Sequence, residues 1–555
     1  MQKRCSIPSR RSTSDAEELQ SVSFFNDLWP NKAQSAGAKR YHCGNGNRLS
    51  ESDCGMRDGS IKKLTLTAAL AALVFTSGAG ADDIQLPDMG SPADAVLSKS
   101  DENRFGRAIM AQIRQTGQVV EDPLITEYIN EIGHRIGAHA NDGSHKFEFF
   151  VVDDVRINAF ALPGGYIGVH TGLLEATRNE DELAGVLGHE IAHVTQRHIA
   201  RAIHANQRQS ILSTALMLGA MVVAAAGGSS DAVRAGIAVA QGTAIQSQIN
   251  FTRSNEYEAD RIGIGALNDA GYDPHGMASF FEVMSRQQPA TPELRAPEFL
   301  RTHPVTTARI AEAHNRAQEY PRRQSSDSTN YGIARARIIV ERFDTAAEAI
   351  AYFETRDYEK QTDIDRYGRA VAYQRAGRHV DANRIFDELI DADQKVIAYH
   401  IGLAETQLEL EQYAAGKETF DRAVELFPRN VPLIITYGEF LIRLGEPDKA
   451  HALLLDLMNN VAPTPEQVRL IARAASESGD AAEAYYYMSE YELMTGDLIN
   501  GIRYLQRALT LPGLQEIQKI RFEARIDFIR EYMTEEQLRQ MQRTRPGQSL
   551  AGNVG

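Results

Sequence analysis

Cysteine and tryptophan are nearly absent from this 555-residue chain, which has three cysteines, Cys5, Cys43 and Cys54, and one tryptophan, Trp29, all before residue 56. A disulfide-stapled fold is therefore excluded, and an exported product would be indifferent to the redox state of its compartment. Positive charge is also scarce. Lys and Arg number 59 against 74 Asp and Glu, a net charge of −15, so no sequence-wide attraction to nucleic acid or anionic lipid is available. With 43% hydrophobic and 24% charged residues, 42 Gly and 19 Pro, collagen and wholesale disorder are excluded too, and length predicts two to four domains.

The compositional step at residue 56 suggests two origins for the chain. From Met56, a basic stretch ending in Lys62-Lys63, an apolar run from Leu64 to Phe75 and the small-residue exit Ala79-Gly80-Ala81 make a signal peptide, 56–81, cleaved before Asp82. The run is too short to span a bilayer; an uncleaved anchor or a chance apolar helix is the other reading. No cysteine follows the cleavage point, which argues against a lipoprotein. Residues 1–55 then read as an upstream stretch included by a mis-assigned start, or as a polar disordered extension. Without the 11 basic and 7 acidic residues of the first 81, the mature chain 82–555 carries a net charge of −19.

Helical spacing runs from Ser98 to His145 through Ile109, Ile113, Leu124, Tyr128, Ile129 and Ile132. Residues 147–152 and 156–162 read as short strands, and Pro163-Gly164-Gly165 as a turn into Tyr166–His170. A helix then starts at Asn179-Glu180-Asp181-Glu182, whose acids suit the positive end of a helix dipole, with Leu183, Val186, Leu187, Ile191 and Val194 on its buried side. Residues 211–249 form an Ala/Gly-rich apolar hairpin, either packed on the protein or a membrane surface, or a marginal span. A polar linker is expected at 321–331. Beyond it Ala370, Ala404, Gly438 and Ala472 recur every 34 residues, the period of tetratricopeptide helix pairs. After Gly479 the phase slips to 17, so that one helix is shared between consecutive units.

The chemistry lies in His189-Glu190-Ile191-Ala192-His193. Four residues apart on a helix, both imidazoles leave one face and can hold one zinc ion, with Glu190 beside them to take a proton from the attacking water. The pattern alone also fits two surface histidines beside a solvated glutamate. Context favours the metal: apolar flanks bury the helix, Gly188 leaves space above His189, and Asn255-Glu256-Tyr257-Glu258-Ala259-Asp260 follows at the head of another helix. There Glu256 and Asp260 share a face, so the first can ligate metal and the second can fix the tautomer of a ligand histidine. Glu258 falls on a different face and reads as solvated; His170, His198 and His275 read as satisfied or solvated.

Taken together, 158–165 (NAFALPGG), Glu182-Leu183-Ala184, the HExxH sequence, 254–260 (SNEYEAD), Thr302-His303-Pro304 and Arg309 resemble peptidase family M48. The resemblance implies an α+β gluzincin-like metallopeptidase domain, mostly helical with a small sheet, at 82–320; the repeat period places an all-α TPR solenoid after it at 332–542, and 543–555 reads as a disordered tail. The resemblance also implies one Zn2+ held by His189, His193 and Glu256, with Glu190 as general base and Asp260 supporting a ligand. His303 would be a fourth ligand that holds the enzyme off; the bland alternative is a helix-entry histidine before Pro304. Arg309 would support the site by pairing or by stabilising the transition state. Asn158, Ala159 and Phe160 would lie on the edge strand that aligns substrate.

The exported, repeat-bearing members of the family further imply a periplasmic endopeptidase of outer-membrane protein assembly and quality control. Its partners would be misassembled barrel proteins and, through the repeats, the barrel-assembly machinery; peripheral membrane contact is compatible, nucleic acid is not. A non-proteolytic chaperone-adaptor with a capped zinc site is the alternative, against which the intact Glu190 argues. A membrane-embedded stress protease is the weaker third.

Overall fold

A computed structural model describes residues 97–140, 145–205, 253–287, 297–323, 327–355, 361–533 and 535–543. The extension at 1–55, the signal peptide at 56–81, the apolar hairpin at 211–249 and the tail after Arg543 lie outside the described residues. Among those described, no helix is long and apolar enough to cross a membrane.

The expected helical stretch from Ser98 is two helices, α1 (Lys99–Gln115) and α2 (Pro123–Ala140), because Gly117 turns the chain with a left-handed φ of 68° and Pro123 restarts it. Three short strands follow, β1 (Glu148–Val152), β2 (Ala159–Ala161) and β3 (Tyr166–His170), with a 3-10 turn at Pro163–Gly165. Their order is β1-β3-β2, with β1 parallel and β2 antiparallel to β3. Thus β2 is an edge. The strand expected at 156–162 shortens at its start, where the chain bends at Arg156 and Asp154 accepts from the Arg156 N–H at 2.9 Å.

Next come α3 (Thr171–Ala176), α4 (Glu180–Thr195), α5 (His198–Ala205), α6 (Arg253–Ala270), α7 (His275–Arg286), α8 (Glu298–Thr302) and α9 (Thr307–Ala317). The helix α4 is the spine of this domain, with every residue from Glu180 to Val194 buried. Its acidic start does more than face a dipole. Asn179 Oδ1 caps the Glu182 N–H at 2.9 Å, Glu180 accepts from Tyr128 and Ser328, Asp181 from the Asp273 N–H, and Glu182 from Arg178 and Ser279. Each carboxylate therefore ties α4 to a different part of the chain, and charge-assisted bonds of this kind stabilise by about 1.5–3 kcal/mol apiece.

The repeat region comprises α10 (Thr329–Arg342), α11 (Ala346–Glu354), α12 (Asp363–Arg375), α13 (His379–Ala392), α14 (Ile397–Glu409), α15 (Tyr413–Leu426), α16 (Val431–Arg443), α17 (Pro447–Asn460), α18 (Pro465–Glu477), α19 (Ala481–Thr495), α20 (Leu498–Leu509), α21 (Glu516–Glu531) and α22 (Glu535–Arg543). The fold class read from the sequence is the one observed, a mostly helical α+β domain followed by TPR-like helix pairs. The 34-residue register has a packing cause: a Cβ on Gly368 would lie 2.4 Å from the Phe353 ring, and one on Gly402 would lie 2.5 Å from the Phe386 ring.

The linker is shorter than expected. Ser328 caps α10, which starts at Thr329 and has two buried faces: Tyr331, Ala334 and Ile338 join the peptidase-like core, while Ile333, Ala336, Ile339 and Val340 join the first repeat core. Leu124, at the start of α2, packs against both repeat cores, and its neighbour Asp122 accepts from Arg337 Nε at 2.5 Å. The repeats are thus clamped to the first domain through α2 and α10.

Candidate metal centre

The close approach of α4 and α6 builds the site. It occurs at Gly188 and Gly263, where a Cβ on Gly263 would lie 2.9 Å from the Gly188 backbone. The small residue before His189 therefore admits a neighbouring helix, where the sequence reading had expected open space. One and two turns before Gly263, Asp260 and Glu256 are brought against the histidines of α4.

His189 Nε2 lies 3.0 Å from His193 Nε2, 3.2 Å from His303 Nδ1 and 3.5 Å from Glu256 Oε2. Glu256 Oε1 lies 3.5 Å from His193 Nε2, and both Glu256 oxygens are 3.3 Å from His303 Nδ1. All four side chains are buried. A tetrahedral zinc site with ligand distances of about 2.0–2.1 Å has donor atoms about 3.3 Å apart, so this donor set fits zinc in both chemistry and spacing.

Behind the donors, His189 Nδ1 lies 2.9 Å from Asp260 Oδ1. Asp260 in turn receives Arg309 Nε at 2.8 Å and Nη2 at 2.7 Å, and Arg309 Nη1 donates to Glu256 Oε2 at 2.7 Å and to the Pro304 carbonyl at 3.0 Å. The guanidinium also stacks over Phe281, 4.8 Å from the ring centroid. It is enclosed by protein on all sides, a pairing geometry. Burial alone would lower the His189 imidazole, but Asp260 and Glu256 outweigh it and lift the group to about 9. Burial would raise Glu256, yet His303 and His189 hold it well below the usual carboxylate range. The field at this point favours a cation.

Glu190 is fully buried, and neither carboxylate oxygen has a hydrogen-bond partner among the described residues. Its Oε1 lies 3.5 Å from His303 Nε2. The His303 ring therefore stands with one nitrogen at the donor cluster and the other at Glu190. Asn158 and Ala159 are buried, the Asn158 carbonyl accepts from the His170 N–H at 3.0 Å, and Phe160 lies over Gly168. In the strand order β1-β3-β2 this segment lies at one edge of the sheet. One carbonyl beside it is engaged: Ile157 O accepts from the Phe299 N–H of α8 at 3.1 Å.

His170 is buried 3.9 Å from Asp154, and its burial takes it down to about 4; His275 meets Asp273 at 2.8 Å. Glu258 is not simply solvated. It accepts from Arg201 at 2.9 Å and lies 3.3 Å from His198 Nε2, whose other ring nitrogen is 2.8 Å from His193 Nδ1. The sequence signal for this group was a third histidine five residues after His193, which helical spacing alone places off the ligand face.

Comparison with known proteins agrees. The pattern of peptidase family M48 matches residues 123–317, and that of the tetratricopeptide repeat matches 407–474. The beta-barrel assembly-enhancing protease of Escherichia coli is 32% identical over 483 residues, covering 85% of this chain and 97% of its own. The chain belongs to peptidase family M48. The Yersinia pestis protein of the same name is 31% identical over 474 residues, 85% of this chain and 96% of its own. The mitochondrial metalloendopeptidase OMA1 of Arabidopsis thaliana is 29% identical over 200 residues, 36% of this chain and 38% of its own. The family makes this chain a metallopeptidase.

Proposed function

We propose that the chain is a periplasmic zinc endopeptidase that hydrolyses misfolded or stalled outer-membrane β-barrel proteins and assists their assembly. The observation that carries this reading is the buried quartet His189, His193, Glu256 and His303 with the Glu190 carboxylate, which accepts no hydrogen bond among the described residues, at its edge. The barrel-related client is taken from the two bacterial relatives, which match nearly end to end. The periplasmic location rests on the signal peptide read at 56–81.

His189, His193 and Glu256 would hold the zinc, which supplies Lewis-acid polarisation of the scissile carbonyl and acidifies a nearby water. Glu190 takes the proton from the attacking water and returns it to the leaving amine. Asp260 fixes the His189 ring, and Arg309 holds both carboxylates in place. An extended client segment would add to β2 through backbone hydrogen bonds along Asn158, Ala159 and Phe160, a mode that recognises unfolded chain more than particular side chains. The repeats would dock the barrel-assembly machinery or the client on surface that α2 and α10 leave free. His303 closes the fourth corner and must leave for hydrolysis.

That closed corner also favours a second reading, a chaperone-adaptor whose capped site never opens. The deciding experiment is degradation of an unfolded outer-membrane β-barrel protein by residues 82–555 beside the Glu190→Gln variant, with zinc measured in both. Cleavage by the parent alone, with about one zinc in each, supports the peptidase. No cleavage by the parent or by a His303→Ala variant, with zinc present, transfers support to the adaptor.

A further inference from the structure

The two ligand histidines of α4 are backed differently. His189 rests on Asp260, a carboxylate clamped by Arg309. His193 has another histidine behind it: His193 Nδ1 faces His198 Nδ1 at 2.8 Å, His198 Nε2 lies 3.3 Å from Glu258 Oε2, and Arg201 Nη1 donates to that same oxygen at 2.9 Å. We propose that His198, Glu258 and Arg201 form a positioning relay that sets the tautomer and ring orientation of His193 as a metal ligand. The proposal rests on the reading that His193 holds the metal through Nε2.

The direction of the chain follows from proton counting. A neutral imidazole that gives its Nε2 lone pair to a metal carries its proton on Nδ1. That Nδ1–H must donate, and the atom 2.8 Å away is His198 Nδ1, which must then present a lone pair. His198 consequently carries its proton on Nε2, facing Glu258 Oε2, a carboxylate oxygen already supported by Arg201. Every donor meets an acceptor. The opposite tautomer of His198 would set two N–H groups against each other at 2.8 Å.

The backbone is shaped to deliver this ring. α4 ends at Thr195 and α5 begins at His198, and between them Arg197 adopts a φ of 50°. A non-glycine residue in the left-handed region costs on the order of 1 kcal/mol. The Arg197 side chain holds the turn by donating to Glu102 at 3.1 Å and to the Leu97 carbonyl at 2.7 Å. The turn puts His198, fully buried, behind His193, and Glu258 of α6 completes the relay. Both ligand histidines are thereby tied to α6, His189 directly through Asp260 and His193 through His198 of α5 and Glu258.

The test compares zinc affinity, by competition with a chromophoric chelator, and metal-free melting temperature for the parent, His193→Ala, His198→Leu, His198→Asn and Glu258→Leu. Asparagine places an acceptor oxygen where His198 has Nδ1; leucine does not. Loss of an outer-shell partner typically weakens metal binding by about 10–100-fold, and that loss is expected for His198→Leu, with His198→Asn restoring most of it. Glu258→Leu should fall between, since His198 keeps its acceptor but loses the group that fixes its proton. Equal affinities for the Leu and Asn variants would overturn the relay and leave His198 a packing residue. Unchanged affinity in all three relay variants would also overturn it, provided His193→Ala abolishes binding. A parent without zinc affinity, or a His193→Ala variant that retains it, would instead remove the ligand reading on which the relay depends.

Discussion

Arg309 is the largest buried side chain of the site, and its replacement gives the sharpest energetic test. Its guanidinium makes two hydrogen bonds to Asp260, one to Glu256 and one to a backbone carbonyl, and it is about 2% exposed. Replacement by Met keeps much of the volume over Phe281 but takes the guanidinium from two buried carboxylates and leaves the His189 imidazole as the positive group against both. Breaking a buried ion pair from one side costs about 3–5 kcal/mol, and the lower half of that range applies because His189 still faces both carboxylates. At roughly 2–4 °C per kcal/mol for a domain of this size, metal-free Arg309→Met should melt about 10 °C below the parent. Arg309→Lys retains the charge but not the fork, so about half the loss is expected. Calorimetry on metal-free protein measures both. If Arg309→Met melts within about 2 °C of the parent, the pairing role is wrong, and a role toward substrate becomes the better explanation for a buried arginine here.

Three further perturbations test other parts of the structure. His303→Ala should raise the degradation rate of an unfolded barrel protein, because it opens the fourth corner and uncovers Glu190; an equal or lower rate counts against gating. Gly263→Ala should lower zinc affinity about tenfold or more by pushing α6 from Gly188, since overpacking of this kind forces backbone shifts; chelator competition reads it, and an unchanged affinity would mean the helix contact does not position Glu256. Glu492 is buried near Asp497, and burial first, then that charge, pushes its carboxyl up to about 8. The folded chain therefore holds a proton that the unfolded chain releases near 4.5, so this contribution is intact below that pH and lost as pH rises through 8. Glu492→Gln should match the parent at pH 5 and exceed it by several kcal/mol at pH 9 in denaturant titrations; parallel pH profiles would sink the assignment.

Much of this was legible because the sequence repeats physical constraints. The 34-residue recurrence of small residues reports how closely paired helices approach, and Gly368 and Gly402 beneath aromatic rings show the constraint at atomic scale. HExxH and the Glu256–Asp260 pair were legible because helical periodicity alone places each pair on one face. Residues whose position depends on tertiary crossing were harder to read. Gly188 looked like open space, but its purpose is set by Gly263, 75 positions away. His198 sits past the end of its helix, across a left-handed turn that no periodicity anticipates. The start of α10 was hidden for a similar reason: Thr329–Tyr331 look like linker until both domains pack on the same helix.

The position of α8 joins two proposals that the sequence presents separately. Phe299 donates its backbone N–H to Ile157, one residue before the edge-strand segment assigned to substrate, and four residues later His303 reaches the donor cluster. Glu298 lies 3.6 Å from Arg156, and Phe299 packs its ring against His303 at 5.1 Å. A client that extended its pairing along β2 to Ile157 would displace the Phe299 N–H, and the single turn of α8 links that residue to His303, whose N–H donates to the Phe299 carbonyl at 2.7 Å. If clients pair along β2 as proposed, reaching Ile157 would also move His303, and the client would supply the free energy of opening. Weak peptides that fill only Asn158–Phe160 would bind without being cut, whereas longer extended segments would both bind and uncover Glu190.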